Sequence, residues 1–157
     1  MLENALRDCP DELWGKGLWE DPSLPGLSAF WYIAYHALFW LDFNLSRDQE
    51  FAPPAPFTLS ELDPAGVLPD RVYTRAELQR YLAHGRQKCQ VTVESLTDEQ
   101  ARRPCRFGSH EIPFAELLLY DMRHVQEHAA QLNMFLGQQT GSASGWVAQA
   151  KDSGSTL

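Results

Sequence analysis

Two histidines, His124 and His128, stand four residues apart in the stretch RHVQEHAAQLN, residues 123–133. If this stretch is helical, the two side chains lie one above the other on one face, with Cβ atoms about 6 Å apart. Both imidazoles can then bind one metal ion, provided that another element supplies a third ligand. The alternative is structural: two polar side chains at a helix edge that form hydrogen bonds to carboxylates. The pair alone does not decide between these interpretations.

A third histidine, His36, lies in the apolar stretch SAFWYIAYHALFWL, residues 28–41. Its side chain is expected to point into the core, where a lone histidine is more often a hydrogen-bonded core residue than a ligand. Together with His124 and His128, however, it completes a set of three imidazoles. Three protein ligands with a further position left open are typical of a reactive metal site rather than of a closed structural one. Imidazole suits zinc, nickel, copper and iron, so the ligand type does not choose the metal.

Asp121 and Gln131 are the polar residues that lie closest to the histidine pair on the same helical face. At 100° per residue, each falls about 40° from the line midway between His124 and His128. Asp121 is therefore a candidate to hold a ligand imidazole in one tautomer. The alternative for Asp121 is an ion pair with Arg123 or another basic neighbour.

The sequence HVQEH also matches H-x-x-E-H, the zinc signature of the inverzincin proteases, in which the glutamate is the general base. That family pattern needs a further glutamate ligand downstream. No glutamate follows Glu127, and only 29 residues follow His128. Glu127 also lies about 80° away from the midline of the histidine pair on a helix. A metal-dependent hydrolase is therefore a remote alternative, and Glu127 is expected to be a solvated surface charge.

The apolar stretch around His36 is expected to form a helix from Ser28, as its N-cap, to about Leu45. Its 14 uncharged residues are too few to span a membrane, which takes roughly 20. A short helix that is apolar on all sides is normally the buried centre of a helical core. The following segment, 46–73, is rich in proline and acidic residues and has no sustained period. It indicates a long irregular connection such as a lid or a binding loop.

Two capping boxes mark the starts of the next helices. Thr74 with Glu77 begins a helix of about 20 residues. Thr97 with Gln100 begins a short helix that ends before Pro104.

The histidine pair lies in the last helix, expected from Pro113, at its first position, to about Gly137. A short helix is also expected within the first dozen residues, and no stretch predicts a strand. The fold class is therefore all-α, a bundle of three long helices and a weaker fourth. We expect the bundle to occupy residues 1–141 and a small, polar C-terminal tail to occupy 142–157.

Composition and charge exclude several classes of partner. The net charge is −8 with a pI near 5.0, and no basic cluster is available to neutralise phosphates, which argues against nucleic acid and anionic membranes. The three cysteines are odd in number and show no C-x-x-C spacing, so they indicate reduced thiols of a cytoplasmic protein. The N-terminal stretch MLENALRDCP is too polar for a signal peptide.

Two stretches resemble the DinB-like superfamily of bacterial four-helix proteins. They are YHALFWLD, residues 35–42, and LLLYDMRHVQEHAAQLN, residues 117–133; the stretch 54–78 is similar to one branch of the superfamily. The resemblance covers roughly 26–141. It implies an up-down-down-up four-helix bundle whose core holds one divalent metal, zinc or nickel first and iron next, on His36, His124 and His128. The segment before Gly26 is short for the family's first helix, which puts the fourth wall of the bundle, and any homodimer surface on it, in question.

Members of the superfamily include mycothiol-dependent maleylpyruvate isomerase and bacillithiol transferases. The resemblance therefore implies a metal-dependent transferase or isomerase that acts on a small-molecule substrate with a low-molecular-weight thiol. The alternative is a non-catalytic bundle, stabilised by its metal, that serves binding or a stress response. The sequence names no catalytic acid or base and no substrate-binding residue.

Overall fold

Six α-helices make up most of the described chain in the computed structural model, which describes residues 1–20, 22, 25–46 and 50–148. They are α1 (Leu2–Asp8), α2 (Asp11–Trp14), α3 (Phe30–Leu45), α4 (Arg75–Glu94), α5 (Asp98–Arg102) and α6 (Phe114–Thr140). Two short strands, β1 (Pro104–Phe107) and β2 (His110–Pro113), lie between α5 and α6 in the chain. The protein is thus mostly helical, as predicted. Within the described ranges, no helix is both long enough and apolar enough to cross a bilayer.

Four of the helices pack against one another around a shared core. Helix α3 contacts both α4 and α6, and α1 contacts the same two helices. Helix α1 has seven residues, whereas α3, α4 and α6 have 16, 20 and 27. The first member of this group is therefore short, in line with the expectation from the sequence.

Helix α3 is the centre of the core, as its apolar sequence predicts. Eleven of its 16 residues are buried, on all sides of the helix. The expectation that Ser28 caps this helix is wrong, because the N-cap is Ala29. The Ser28 hydroxyl donates instead to the carbonyl oxygen of Trp19 at 2.7 Å, so it holds the preceding connection rather than the first turn of α3.

Helix α4 begins as predicted, with a complete capping box. The Thr74 hydroxyl accepts from the Glu77 N–H, and the Glu77 carboxylate accepts from the Thr74 N–H at 2.8 Å. Its 20 residues also match the predicted length, and the capping box of Thr97 and Gln100 before α5 is confirmed in the same way. Burial on α4 stops near Gly85, where an added Cβ atom would lie 3.4 Å from the Leu41 side chain of α3. Val93, about two turns further along the helix, is exposed.

One buried carboxylate joins α3 to α4. Asp42 accepts a hydrogen bond from the Tyr81 hydroxyl at 3.1 Å and from the Lys88 ammonium at 2.5 Å. Lys88 also donates to the hydroxyl of Ser46, the residue that ends α3. The pairing of Asp42 with a cation and a hydroxyl offsets the cost of burying its charge between the two helices.

The connection from α3 to α4 is irregular in its described part, apart from one turn of 3-10 helix at Ser60–Leu62. Its residues 47–49 lie outside the described ranges. Phe57 anchors the connection to the core, since its ring stacks on Tyr81 with centroids 4.3 Å apart. The Tyr35 hydroxyl of α3 donates to the Thr58 carbonyl oxygen at 2.9 Å, which fixes the segment just before the 3-10 turn.

The prediction of no strands is wrong, because β1 and β2 form an antiparallel hairpin in which Phe107 pairs with His110. Strands of four residues are too short to show a period in the sequence. The turn contains Gly108 at φ 58°, a left-handed conformation that glycine adopts without strain. Buried Cys105 of β1 packs with Phe114 and Leu117, so the hairpin has its own small core against α6.

Helix α6 starts one residue later and ends three residues later than predicted. Pro113 is its N-cap, and the helix continues through Gly137 to Thr140. It ends at Gly141, whose φ of 73° is the left-handed conformation common at helix C-termini.

Candidate metal centre

The packing of α3 on α6 brings the three histidines together. His36 lies in the middle of α3, and His124 and His128 lie one turn apart near the middle of α6. One ring nitrogen from each residue lies within 4.8 Å of the other two. All three residues are partly buried.

The distances between the ring nitrogens suit a shared ion. The Nε2 atoms of His36 and His124 are 3.3 Å apart, and those of His124 and His128 are 3.0 Å apart. Metal–nitrogen bonds of about 2.1 Å at octahedral to tetrahedral angles place neighbouring ligand nitrogens about 3.0 to 3.4 Å apart. The three residues therefore fit a divalent transition metal.

Two of the three imidazoles are held in the tautomer that metal ligation needs. The Nδ1 atom of His36 lies 2.8 Å from Glu61 Oε2, and the Nδ1 atom of His128 lies 2.8 Å from Gln131 Oε1. Because both partners accept, each Nδ1 carries the proton and each Nε2 presents a lone pair to the centre of the cluster. Hydrogen bonds alone satisfy the three facing Nε2 atoms poorly. A single proton on His124 Nε2 would have to serve the Nε2 lone pairs of both His36 and His128.

His124 is positioned by packing. Its ring stacks on Tyr120 of the preceding turn, with centroids 5.8 Å apart and an interplanar angle of 13°. Tyr120 in turn packs on Phe107 of the hairpin, with centroids 4.5 Å apart. The hairpin is thus connected to the site through two aromatic contacts.

Glu61, from the 3-10 turn, is a site residue that the sequence did not indicate. Its side chain is 4% exposed, and Oε2 accepts from His36 and, at 2.8 Å, from Trp40 Nε1. Burial by itself raises the pKa of Glu61. The hydrogen bond and the charge interaction with His36, together with the hydrogen bonds from Tyr32 and Trp40, outweigh it and hold the pKa below its usual value. Glu61 therefore remains a carboxylate and can balance part of the charge of a bound cation.

Asp121, the carboxylate that the sequence offered for this role, is buried and accepts a hydrogen bond from Asn44 at 2.6 Å. The carboxylate in contact with a site imidazole is Glu61 of the connection between α3 and α4. In the sequence, only the length of that connection suggested that it contributes to a site, and the length did not identify Glu61. A role for Asp121 next to a ligand stays a prediction. Gln131, noted from its position on the helical face, does contact His128.

The electrostatics keep two of the imidazoles neutral. Burial, together with the nearby His128 and His36, lowers the pKa of His124 to about 4. Burial is also the largest cause of the lowered pKa of His128, with His36 acting in the same direction. Neutral imidazoles are the form that binds metal ions, so near pH 7 protons do not compete for these two residues.

A cavity of about 600 Å³ adjoins the cluster, and both His36 and His124 line it. This volume lies in the usual range of small-molecule sites. Its wall is largely aromatic, formed by Trp40, Phe43, Phe51, Phe107 and Tyr120. A small molecule in this cavity would therefore lie beside the imidazoles.

Other groups are poorly placed for chemistry at the cluster. Burial raises the pKa of the Cys9 thiol to about 12 and also raises the pKa of the Cys89 thiol, so neither is a ready nucleophile. Glu127 is exposed to solvent, as expected for a surface charge. Its position gives no support to the H-x-x-E-H interpretation.

Comparison with known families identifies the chain. The sequence profile of the DinB superfamily matches residues 1–132, a range that includes α1 and all three histidines. Comparison with curated proteins and with solved structures finds no significant match. The chain belongs to the DinB superfamily.

Proposed function

We propose that His36, His124 and His128 bind one divalent transition metal and that the protein is a metal-dependent enzyme acting on a small molecule. The observation that carries this proposal is the convergence of three Nε2 atoms at 3.0 and 3.3 Å, with two of the rings oriented by acceptors at Nδ1. Zinc and nickel are the first candidates, and iron is the third.

The residues of the chain have separate tasks in this proposal. The three histidines hold the ion, while Glu61 and Gln131 keep the rings of His36 and His128 in the required orientation. A divalent ion at this position would lower the pKa of a bound thiol or water toward neutrality and so supply a nucleophile. The aromatic wall of the cavity keeps the surroundings apolar, which strengthens electrostatic interactions there.

We propose a transferase or isomerase that uses a low-molecular-weight thiol as the finer form of this function. The thiols of buried Cys9 and partly buried Cys89 have raised pKa values, and Cys105 is buried in the small core between the hairpin and α6. These observations favour a reactive thiol that comes from a bound small molecule. The proposal has three further parts. The fold is the family's four-helix bundle with a short first helix, the protein forms a homodimer, and its location is cytoplasmic. The mutual packing of α1, α3, α4 and α6 supports the first of these.

The alternative is a non-catalytic protein in which the metal joins α3 to α6. The cavity favours the enzyme, because two of the three histidines line it and a small molecule can reach them. A purely structural ion is normally enclosed by four protein ligands.

Metal analysis of untagged protein tests the proposal. We expect about one zinc, nickel or iron ion per chain, and loss of most of it in His36→Ala, His124→Ala or His128→Ala. His110→Ala is the matched control, since His110 lies exposed on the hairpin and outside the cluster. Full metal content in the triple-alanine variant would exclude this site.

Cobalt-substituted protein separates the enzyme from the alternative. A small thiol or azide at millimolar concentration should shift the visible d–d bands, because these bands report coordination number and ligand type. An unchanged spectrum would show that the ion has no exchangeable position and would favour the structural role.

A further inference from the structure

Among the described residues that line the cavity beside the histidines, one side chain carries a permanent positive charge. Arg106 of β1 lines the cavity, and no aspartate or glutamate is among the described residues that do so. Apart from the two histidines and Tyr120, the other polar lining residues are Asn44 and Ser46, which are neutral. The hairpin therefore places a single guanidinium at a largely aromatic wall.

Arg106 is available to a ligand. Its Nε donates a long hydrogen bond of 3.5 Å to the Gly108 carbonyl oxygen, and within the described part of the chain its guanidinium forms no ion pair. Glu111 lies directly opposite Arg106 on β2, but the side chains of Arg106 and Glu111 do not form a salt bridge. The residue is exposed, so a carboxylate that enters the cavity can reach it.

The positive charge of Arg106 is opposite in sign to the net charge of the whole protein. The net charge of −8 repels anions at long range, so an anion gains nothing from the overall field. A guanidinium offers parallel N–H groups that match the two oxygens of a carboxylate. In metal-free protein, local recognition by Arg106 is therefore the contact, among the described lining residues, that would select an anion over a neutral molecule.

We propose that the cavity binds an organic carboxylate with a flat, apolar body. The carboxylate pairs with Arg106, and the apolar body lies against the rings of the aromatic wall, toward His36 and His124. This inference rests on the proposed function in one respect, namely that the cavity is the substrate site of the metal centre. The recognition itself comes from Arg106 and the aromatic rings, so it also operates in metal-free protein.

Binding of cinnamate and of its neutral analogue cinnamamide tests the inference. Both probes are titrated by calorimetry or ligand-observed NMR into metal-free and metal-loaded full-length protein. We expect cinnamate to bind about tenfold more tightly than cinnamamide, the usual effect of one hydrogen-bonded charge pair. In metal-free protein, Arg106→Gln should abolish this preference while leaving cinnamamide binding unchanged, and Arg106→Lys should keep part of it.

Arg80→Gln is the matched control, because it removes the same charge from an exposed position on α4 outside the cavity. Circular dichroism and the melting temperature establish that the Arg106 variants keep their fold. Equal binding of the two probes, no binding of cinnamate up to about 10 mM, or an undiminished preference in Arg106→Gln would each overturn the inference. Metal content is measured separately, so failure of the metal proposal leaves the metal-free titration as an independent result.

Discussion

Replacement of Glu61 by alanine is expected to weaken metal binding although Glu61 is not itself a ligand. The carboxylate is 4% exposed and lies 2.8 Å from His36 Nδ1, so it fixes both the tautomer and the orientation of that ring. Loss of such a partner typically lowers metal affinity about 10- to 100-fold, or about 1.4 to 2.8 kcal/mol. A hydrogen bond to a charged group contributes about 1.5 to 3 kcal/mol, which gives the same range independently.

The assay is a competition between the protein and a chelating dye for zinc, with the melting temperature of the metal-free variant as a check on folding. Glu61→Gln keeps an oxygen acceptor but loses the charge, so its affinity should lie between those of wild type and Glu61→Ala. Gln131→Ala removes the corresponding acceptor of His128 and should cost about tenfold, because that partner is neutral.

Glu127→Ala is the control for a general charge effect. Glu127 is exposed on α6, in the sequence between the two histidines, and its loss removes the same unit charge without removing a contact to a ligand. The reasoning is refuted if Glu61→Ala binds zinc within about twofold of wild type. It is also refuted if Glu127→Ala weakens binding as much as Glu61→Ala does.

Two further predictions concern stability. Because burial lowers the pKa of His124 to about 4, the unfolded chain binds more protons than the folded one between about pH 6.5 and pH 4. Urea unfolding of metal-free protein should therefore show that the free energy of unfolding falls as pH drops through this window, by up to about 1.4 kcal/mol per pH unit for this imidazole. The decrease should be smaller in His124→Asn. A flat profile would contradict the lowered pKa of His124. Asp42→Ala should lower the free energy of unfolding by about 3 kcal/mol, since it leaves Lys88 facing a buried site without its carboxylate. Asp42→Ala/Lys88→Met should recover part of this loss, and no recovery would exclude the ion pair as its cause.

The long helices could be predicted from the sequence because their patterns are local. The capping box of Thr74 and Glu77 involves residues three apart, and it forms as expected. The spacing of His124 and His128 likewise predicts a shared helical face, and their Nε2 atoms do meet. The error at the start of α3 has a less local cause, because the Ser28 hydroxyl bonds to Trp19 in the preceding connection instead of capping the helix.

Residues brought in by the connections could not be predicted in the same way. Glu61 and His36 are 25 positions apart, and no periodic pattern relates a 3-10 turn to a distant helix. Glu61 reaches His36 because Phe57 and Thr58 tie the preceding segment to Tyr81 and Tyr35. These are long-range contacts of the folded core, and one sequence does not show them.

The hairpin could likewise not be predicted from the sequence, and in the proposals above it has the larger effect on the choice of substrate. Its four-residue strands gave no signal, yet Phe107 packs on Tyr120, and Tyr120 stacks on His124. Arg106 is adjacent to Phe107 in β1, so the contact that places the ring beside the metal centre also places the guanidinium at the cavity. In the proposed function, helices α3 and α6 supply the three metal-binding histidines, whereas the connection and the hairpin determine which small molecule is bound. Changes in the hairpin, or in the connection outside Glu61, should alter substrate preference while leaving the three-histidine cluster intact, because neither segment supplies one of its ligand nitrogens.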